Sequence, residues 1–267
     1  MNRKIAAFAT ALALAAGTSA GAVTMEAGGL QIAEPGSVVN GRSIGNMAAE
    51  WWRFLLESPM SAHPNYGNPY VPGPLAGEGT YFLYGLPEGE SGTLEATVKA
   101  GSAMLLPLRP WANLKTEPDE TAQDLFDQLE PLVASIRNLS VTVNGEDVAG
   151  ANGVDLIADF RERFPSEPGD VAFGVTFPEE DASFGLDGFV TDLIVADGHW
   201  MLFDDLRVGG YEIVTSFDVL GEDGGPAYSA AVTQMITIAP VPVPAALPLL
   251  LAGLAGLAGV ASRRRRG

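Results

Sequence analysis

Hydrophobic positions recur with helical spacing in two early segments of the chain. The first begins after Ser43 and ends before Pro59, with apolar residues every three or four positions: Met47, Trp51, Phe54 and Leu55. The second spans 121–137, where Leu125, Leu129, Leu132, Val133 and Ile136 share one face. Pro131 lies inside it and is expected to kink or split the helix. The pattern therefore predicts two early helices.

Most other apolar runs are short, rich in strand-forming residues and bounded by turn signals. They predict strands at 81–84, 93–98, 103–108, 139–143, 154–160, 171–177, 189–195, 200–203, 211–219 and 230–238. Asn144-Gly145 is the strongest two-residue hairpin signal, and Asp197-Gly198 is expected to begin another turn. The predicted fold class is mainly β, an antiparallel β-sandwich with two early helices, formed by one domain over 43–239. The Gly-rich segment 23–42 lacks periodicity and is predicted to be a flexible lead-in.

The N-terminus has the three parts of a secretory signal peptide. Arg3 and Lys4 supply the positive charge, and residues 5–16 are an apolar run that is short for a membrane span. Ala20 and Ala22 place small residues where signal peptidase reads them, so cleavage is expected before Val23. Residues 1–22 are thus predicted to be a signal peptide, with signal peptidase as a partner.

The C-terminus, 240–267, combines a proline motif, an apolar segment and a basic cluster. Residues 243–261 carry no charge and reach the minimum length for a transmembrane helix. The cluster Arg263, Arg264, Arg265 and Arg266 predicts a cytoplasmic C-terminus, with the body of the protein outside the membrane.

This tail resembles the tripartite PEP-CTERM sorting signals, especially the VPLPA-CTERM variant. The motif is represented by Val241, Pro242, Val243, Pro244 and Ala245, with Val243 where leucine is commoner. The resemblance implies that an exosortase-type membrane protease cuts near this motif and sends the body to the cell surface or the extracellular matrix. A permanent single-pass anchor is the alternative, because hydropathy does not distinguish the two.

Charge and cysteine content exclude several functions. The chain has 33 acidic and 15 basic residues and no cysteine. Six of the basic residues lie in the two terminal segments, which leaves nine in the body and a formal charge of −24 there. Nucleic acid requires a basic face, so no nucleic-acid partner is expected. Thiol catalysis, disulfide scaffolds and cysteine-ligated metals are excluded.

The body is similar to a group of bacterial secreted proteins to which no reaction is assigned. The matching features are Glu50-Trp51-Trp52, Asn68-Pro69, Phe82-Leu83 with Gly85, and Asp197-Gly198 followed by Trp200. Many members of that group carry cysteines near the first hairpin, and this chain has none. The resemblance implies export but no chemistry.

Trp51 and Trp52 are the candidate ligand platform. Because they are adjacent on a helix, their side chains point about 100° apart. One interpretation has one ring anchoring the helix while the other stacks against a sugar. The interpretation we favour has both rings clamping the helix to the sheet, since aromatic residues dominate core energetics.

Other candidate residues are weaker. Glycoside hydrolysis needs two carboxylates across a cleft, and Glu120, Asp124 and Asp127 share a helical face in the manner of a solvated stripe. Calcium would suit three acidic loops, Glu179-Glu180-Asp181, Asp204-Asp205 and the loop that follows Asp218 with Glu222 and Asp223. His63 and His199 have no second ligand at metal spacing and are expected to be ordinary loop residues.

We therefore expect a non-enzymatic exported protein of the cell envelope or extracellular matrix, structural or ligand-binding, without a cofactor. The alternatives are an extracellular carboxylate-dependent hydrolase acting on polysaccharide, and a calcium-dependent surface module. A polysaccharide is a candidate partner for the structural or ligand-binding protein and for the hydrolase.

Overall fold

The computed structural model describes residues 25–63, 79–86, 90–165, 173–221 and 224–241. The signal-peptide residues Ala20, Ala22 and Val23, the motif after Val241, the apolar segment and the arginine cluster lie outside these ranges. Within the ranges, no helix is long and apolar enough to cross a membrane.

The described chain is mainly β, as predicted, and also contains four α-helices. The strands are β1 (Met25–Ala27), β2 (Leu30–Ile32), β3 (Val38–Val39), β4 (Arg42–Ser43), β5 (Thr80–Phe82), β6 (Gly92–Lys99), β7 (Ala103–Leu114), β8 (Ile136–Val143), β9 (Glu146–Asp147), β10 (Arg161–Phe164), β11 (Phe173–Thr176), β12 (Val190–Asp204), β13 (Gly209–Leu220) and β14 (Pro226–Ala239). The helices are α1 (Ile44–Glu57), α2 (Ala122–Val133), α3 (Val148–Asn152) and α4 (Leu156–Asp159).

The fold contains two large sheets, and the long strand β12 lies at the centre of the first. In the first sheet β12 pairs with β7 along one edge, and with β11, β10 and β2 in succession along the other. The second sheet has the order β6-β14-β13-β8-β9. Most pairs are antiparallel, but β5 runs parallel to β7 and β6 runs parallel to β14. The predicted antiparallel pairing therefore holds for most described strand pairs and fails for these two.

The first sheet buries both of its faces. Leu106, Met201 and Phe203 share a core with Ile213 and Ile236 of the second sheet. The neighbouring residues on β7 and β12, Leu105 and Leu202, point the other way and pack with α1. Alternation along the strands thus places a helix on one face and a second sheet on the other.

The two predicted early helices are present, but the second is shorter than expected. Ser43 caps α1 by accepting a hydrogen bond from the Asn46 N–H at 3.1 Å. Thr121 and Asp124 cap α2 reciprocally in a capping box. Pro131 lies in the last turn of α2, where it has no N–H to donate to the carbonyl four residues earlier, and the helix ends two residues later at Val133. The apolar residues beyond it begin β8 instead.

The expected flexible lead-in is wrong for its described part, 25–42. β1 and β2 form a hairpin that joins the first sheet, and Ala27, Leu30 and Ile32 belong to the shared core. At Gly28, which has a φ of 55°, a Cβ atom would lie 2.2 Å from the Val143 carbonyl oxygen. Strands of three residues are too short to give a detectable period, so the sequence pattern misses them.

Two further predictions fail where local polar residues decide the structure. The strand expected at 154–160 is largely replaced by α4, because Asp155 accepts from the Ile157 and Ala158 N–H groups at 2.9 and 3.1 Å. The turn expected at Asp197-Gly198 is instead the middle of β12. Gly198 is required there, since a Cβ atom would lie 2.5 Å from the Arg109 carbonyl oxygen. The hairpin expected at Asn144-Gly145 is confirmed by the pairing of β8 with β9.

Candidate functional site

A cavity of about 360 Å³ lies at the edge of the first sheet, where α1, β7, β13 and β14 meet. Its walls are mostly apolar and include the aromatic rings of Trp51, Trp52, Trp111 and Phe217. Among the described lining residues, Arg109 is the one cation and Glu90 the one carboxylate. Cavities of this size and composition are typical of sites for small molecules.

The two adjacent tryptophans of α1 have different environments. Trp51 is buried, its indole N–H donates to the Leu83 carbonyl at 2.7 Å, and its ring contacts Tyr84 and Trp200. Trp52 is half-buried, meets Trp51 edge to face at 5.0 Å and also lines the cavity. Trp51 therefore anchors the helix, while Trp52 contributes both to the core and to the cavity wall.

Arg109 is held by aromatic rings on the cavity wall. Its guanidinium lies 4.4 Å from the Trp111 ring centre and 5.4 Å from that of Phe217, and it donates to the Tyr228 hydroxyl. Such cation–π contacts stabilise a charge in a partly buried position. Arg109 and Tyr228 thereby connect β7 of the first sheet to β14 of the second.

The amide side chains in the wall already have partners. The Gln234 amide donates to the Tyr84 carbonyl at 3.2 Å, and the Asn113 amide donates to Gln128 at 2.8 Å. The Thr215 hydroxyl and the Trp52 indole N–H are buried without a hydrogen-bond partner among the described residues. The wall therefore presents mainly apolar surface to anything that enters.

Phe184 and Glu90 are the exposed members of the lining and mark the opening of the cavity. Phe184 is 76% exposed and has a left-handed backbone, with φ of 59° and ψ of 13°. No hydrophobic periodicity points to it, so sequence reasoning missed it. Arg109 was missed for the same reason, although it is one of only nine basic residues in the body.

Glu50 and the acidic residues considered for hydrolysis make structural contacts. Glu50 pairs with Arg42 and ties α1 to β4. Glu120 accepts from the backbone N–H groups of Glu117 and Thr116, which lowers its pKa, and the Thr121 hydroxyl lowers the pKa of Asp124. None of these residues lines the cavity. The structure therefore does not bring them together with Trp52.

Asp127 and the described acidic loops make local contacts. Asp127 accepts from the Gln123 amide at 2.7 Å. Asp181 accepts from the Ser61 N–H, Asp204 from the Asp205 N–H, and Asp218 from Asn138 and Ser229. Glu179 and Glu180 are exposed, while Glu222 and Asp223 lie outside the described residues. No group of three or more potential metal-binding side chains occurs in the described part of the chain.

Both histidines are buried, and His199 lies in a strand instead of the expected turn, whereas His63 lies in a loop as expected. His199 lies inside β12, and one of its ring nitrogens is 3.0 Å from the Ile157 carbonyl oxygen. His63 is also buried, at the end of a short 3₁₀ turn. Burial lowers the pKa of each imidazole, since desolvation disfavours the charged form.

A buried ionic cluster lies beneath α2. Asp197 of β12 is fully buried and accepts from Arg161 at 2.7 and 2.8 Å and from Arg163 at 2.8 Å. Glu130 of α2 pairs with the same two arginines from the solvent side. This pairing explains how a charged Asp-Gly dipeptide resides in the middle of a strand.

Comparison with known proteins adds no assignment. No protein-family model matches the chain, and no curated protein matches it. A chain of the solved structure titled "Structure of PbICP-C in complex with falcipain-2" aligns with 60% of this chain and 98% of its own length, at 9% identity and a TM-score of 0.21.

Proposed function

We propose that this is an exported, non-enzymatic binding protein that holds a small, mainly apolar molecule in the cavity beside Trp52. The observation that carries the proposal is the cavity itself, with a volume of about 360 Å³ and a wall rich in aromatic side chains. The packing of the two sheets around one core also supports describing the body as a β-sandwich.

The chemistry of the wall favours an apolar ligand over a sugar. A sugar needs several directed hydrogen bonds, whereas the Gln234 and Asn113 amides are engaged within the protein. Trp52 lines the cavity together with Trp111 and Phe217, over whose rings Arg109 lies, and this aromatic wall favours a planar ring system. The ligand class that fits is therefore a flat, predominantly apolar molecule of small-molecule size.

The test uses two matched variants of β14. Ala230 faces the cavity and Ala231 is exposed on the opposite face, so Ala230→Leu fills the site while Ala231→Leu does not. Titration of the purified full chain with N-phenyl-1-naphthylamine, followed by fluorescence, should give at least about tenfold weaker binding for Ala230→Leu only. Equal binding by both variants and the parent protein would refute a ligand site here.

The same titration with a soluble glucan oligosaccharide examines the polysaccharide alternative. The proposal expects no change in tryptophan fluorescence. Saturable quenching that Ala230→Leu abolishes would replace the apolar ligand with a sugar.

Export and sorting are proposed from the terminal segments. Signal peptidase would cut before Val23, and an exosortase-type protease would cut near Val241–Ala245, releasing the body to the cell surface or matrix. Until that cut, the segment 243–261 would anchor the protein in the inner membrane with Arg263–Arg266 in the cytoplasm. Intact mass of the protein from the medium and surface fractions should end near Pro242–Ala245. A mass that retains the arginine cluster, found in membranes alone, would establish a permanent anchor instead.

A further inference from the structure

Phe184 combines two unfavourable features at the opening of the cavity. Its backbone is left-handed, a conformation that is strained for a non-glycine residue. Its ring is also 76% exposed, so the side chain gains little from burial. A strained residue with an exposed aromatic ring does not stabilise the free protein, which makes a role in recognition the physical alternative.

The loop that carries Phe184 is fixed at several points. The Ala182 N–H donates to Asp187 at 2.7 Å, and the Gly188 N–H donates to the Pro178 carbonyl at 2.7 Å. Asp181 accepts through its carbonyl and its carboxylate from the segment that follows α1, from the N–H groups of Met60 and Ser61. The loop is therefore attached to the helix that supplies Trp52.

Phe184 is exposed, whereas the two residues before it are buried. Ala182 and Ser183 are buried, whereas the ring that follows them extends to the solvent beside the cavity. Tight loop contacts hold this geometry before any ligand arrives, and a preorganised contact reduces the entropic cost of binding.

We propose that Phe184 is a ligand-contacting residue whose ring packs over an apolar molecule at the opening of the cavity. This inference rests on the proposed binding function and adds the residue that closes the site. Binding would bury the ring, and the removal of its apolar surface from water would stabilise the complex.

The test compares Phe184→Ala and Phe184→Gly with Val208→Ala. Val208 is 59% exposed and does not line the cavity, so its truncation controls for loss of an exposed apolar side chain. Both Phe184 variants should bind N-phenyl-1-naphthylamine about tenfold or more weakly, whereas Val208→Ala should bind as the parent does. Phe184→Gly should also raise the Tm by about 2–4 °C, because glycine adopts the left-handed backbone without strain.

Binding and stability therefore change in opposite directions for Phe184→Gly, which a purely structural residue would not produce. If Ala230→Leu loses the probe but both Phe184 variants retain the parent's affinity, the cavity binds ligand and the role of Phe184 is refuted. If neither Ala230→Leu nor the Phe184 variants change binding, the proposed function fails as well. If the Phe184 variants alone lose the probe, the ring binds outside the cavity and this inference is overturned.

Discussion

Replacing Asp197 with asparagine is expected to destabilise the protein much more than replacing Glu130 with glutamine, although both carboxylates bind the same two arginines. Asp197 has no exposed surface and accepts three hydrogen bonds, two from Arg161 and one from Arg163. The Glu130 side chain is 49% exposed. The two substitutions therefore remove similar charges from very different surroundings.

The exposed fractions set the expected magnitudes. Removing one partner of a buried ion pair costs about 3–5 kcal/mol, because the remaining charge stays desolvated. The Arg161 and Arg163 side chains are 26% and 40% exposed and so regain some hydration, which lowers the expected cost of Asp197→Asn to about 2–3 kcal/mol. Glu130→Gln removes a solvent-exposed pair and should cost about 0–1 kcal/mol.

Urea unfolding of both variants measures the difference. With an m-value of about 2–3 kcal/mol/M, Asp197→Asn should lower the midpoint by about 1 M and Glu130→Gln by a few tenths. In 1 M NaCl the smaller effect should disappear while the larger persists, since salt screens exposed charges. Equal midpoint shifts for the two variants would refute the assignment of Asp197 as the buried charge that fixes β10 and β12.

Three further predictions concern single buried positions. Gly198→Ala should lower the free energy of unfolding by about 2 kcal/mol or more, because its Cβ would collide with the Arg109 carbonyl; Gly210→Ala, with open space around it, should not. Denaturant midpoints of the two variants check this. Thr215 is 3% exposed, and Thr215→Val should raise the Tm, since it removes a buried hydroxyl that lacks a partner in the described chain. An unchanged or lower Tm would contradict that. The pKa of His199 is lower in the folded state than in the unfolded state. The neutral His199 side chain therefore contributes to the free energy of unfolding above about pH 6.5, and this contribution is lost as the pH falls below that value. Stability measured from pH 7.5 to 5.5 should therefore fall less steeply for His199→Gln than for the parent, and parallel curves would refute it.

Elements whose hydrophobic period continues over several turns, or that contain a specific turn residue, could be predicted from the sequence. The spacing from Met47 to Leu55 predicts α1, which follows Ser43 and ends before Pro59 as expected. Asn144-Gly145 predicts the β8–β9 hairpin, and both residues have positive φ. In these cases the local chemistry and the tertiary structure agree.

The failures occur where distant residues override the local signal. Asp197-Gly198 is typical of a turn, but Arg161 and Arg163, more than thirty residues earlier, neutralise the carboxylate and allow the strand to continue. Residues 25–32 lack a period, but they complete the first sheet by pairing with the end of β12. The hydrophobic period of a short stretch of sequence does not report either of these long-range interactions.

The position of the cavity follows from the shortness of β5. Its pairing with β7 covers only residues 103–105, so β7 continues from Pro107 with no β5 partner on that edge. Proline lacks the N–H of a sheet ladder and is found mainly at edges and bulges. In β7, Pro107 pairs with Trp200 and Pro110 with Gly198, on either side of the irregularity between His199 and Trp200.

The chain leaving β5 then lines the cavity through Gly85 and Leu86, while α1 supplies Trp52 from the other side. A longer β5 would cover the same edge of β7 and fill the space. The cavity therefore depends on where β5 ends, because the described residues contain no other strand along this edge of β7.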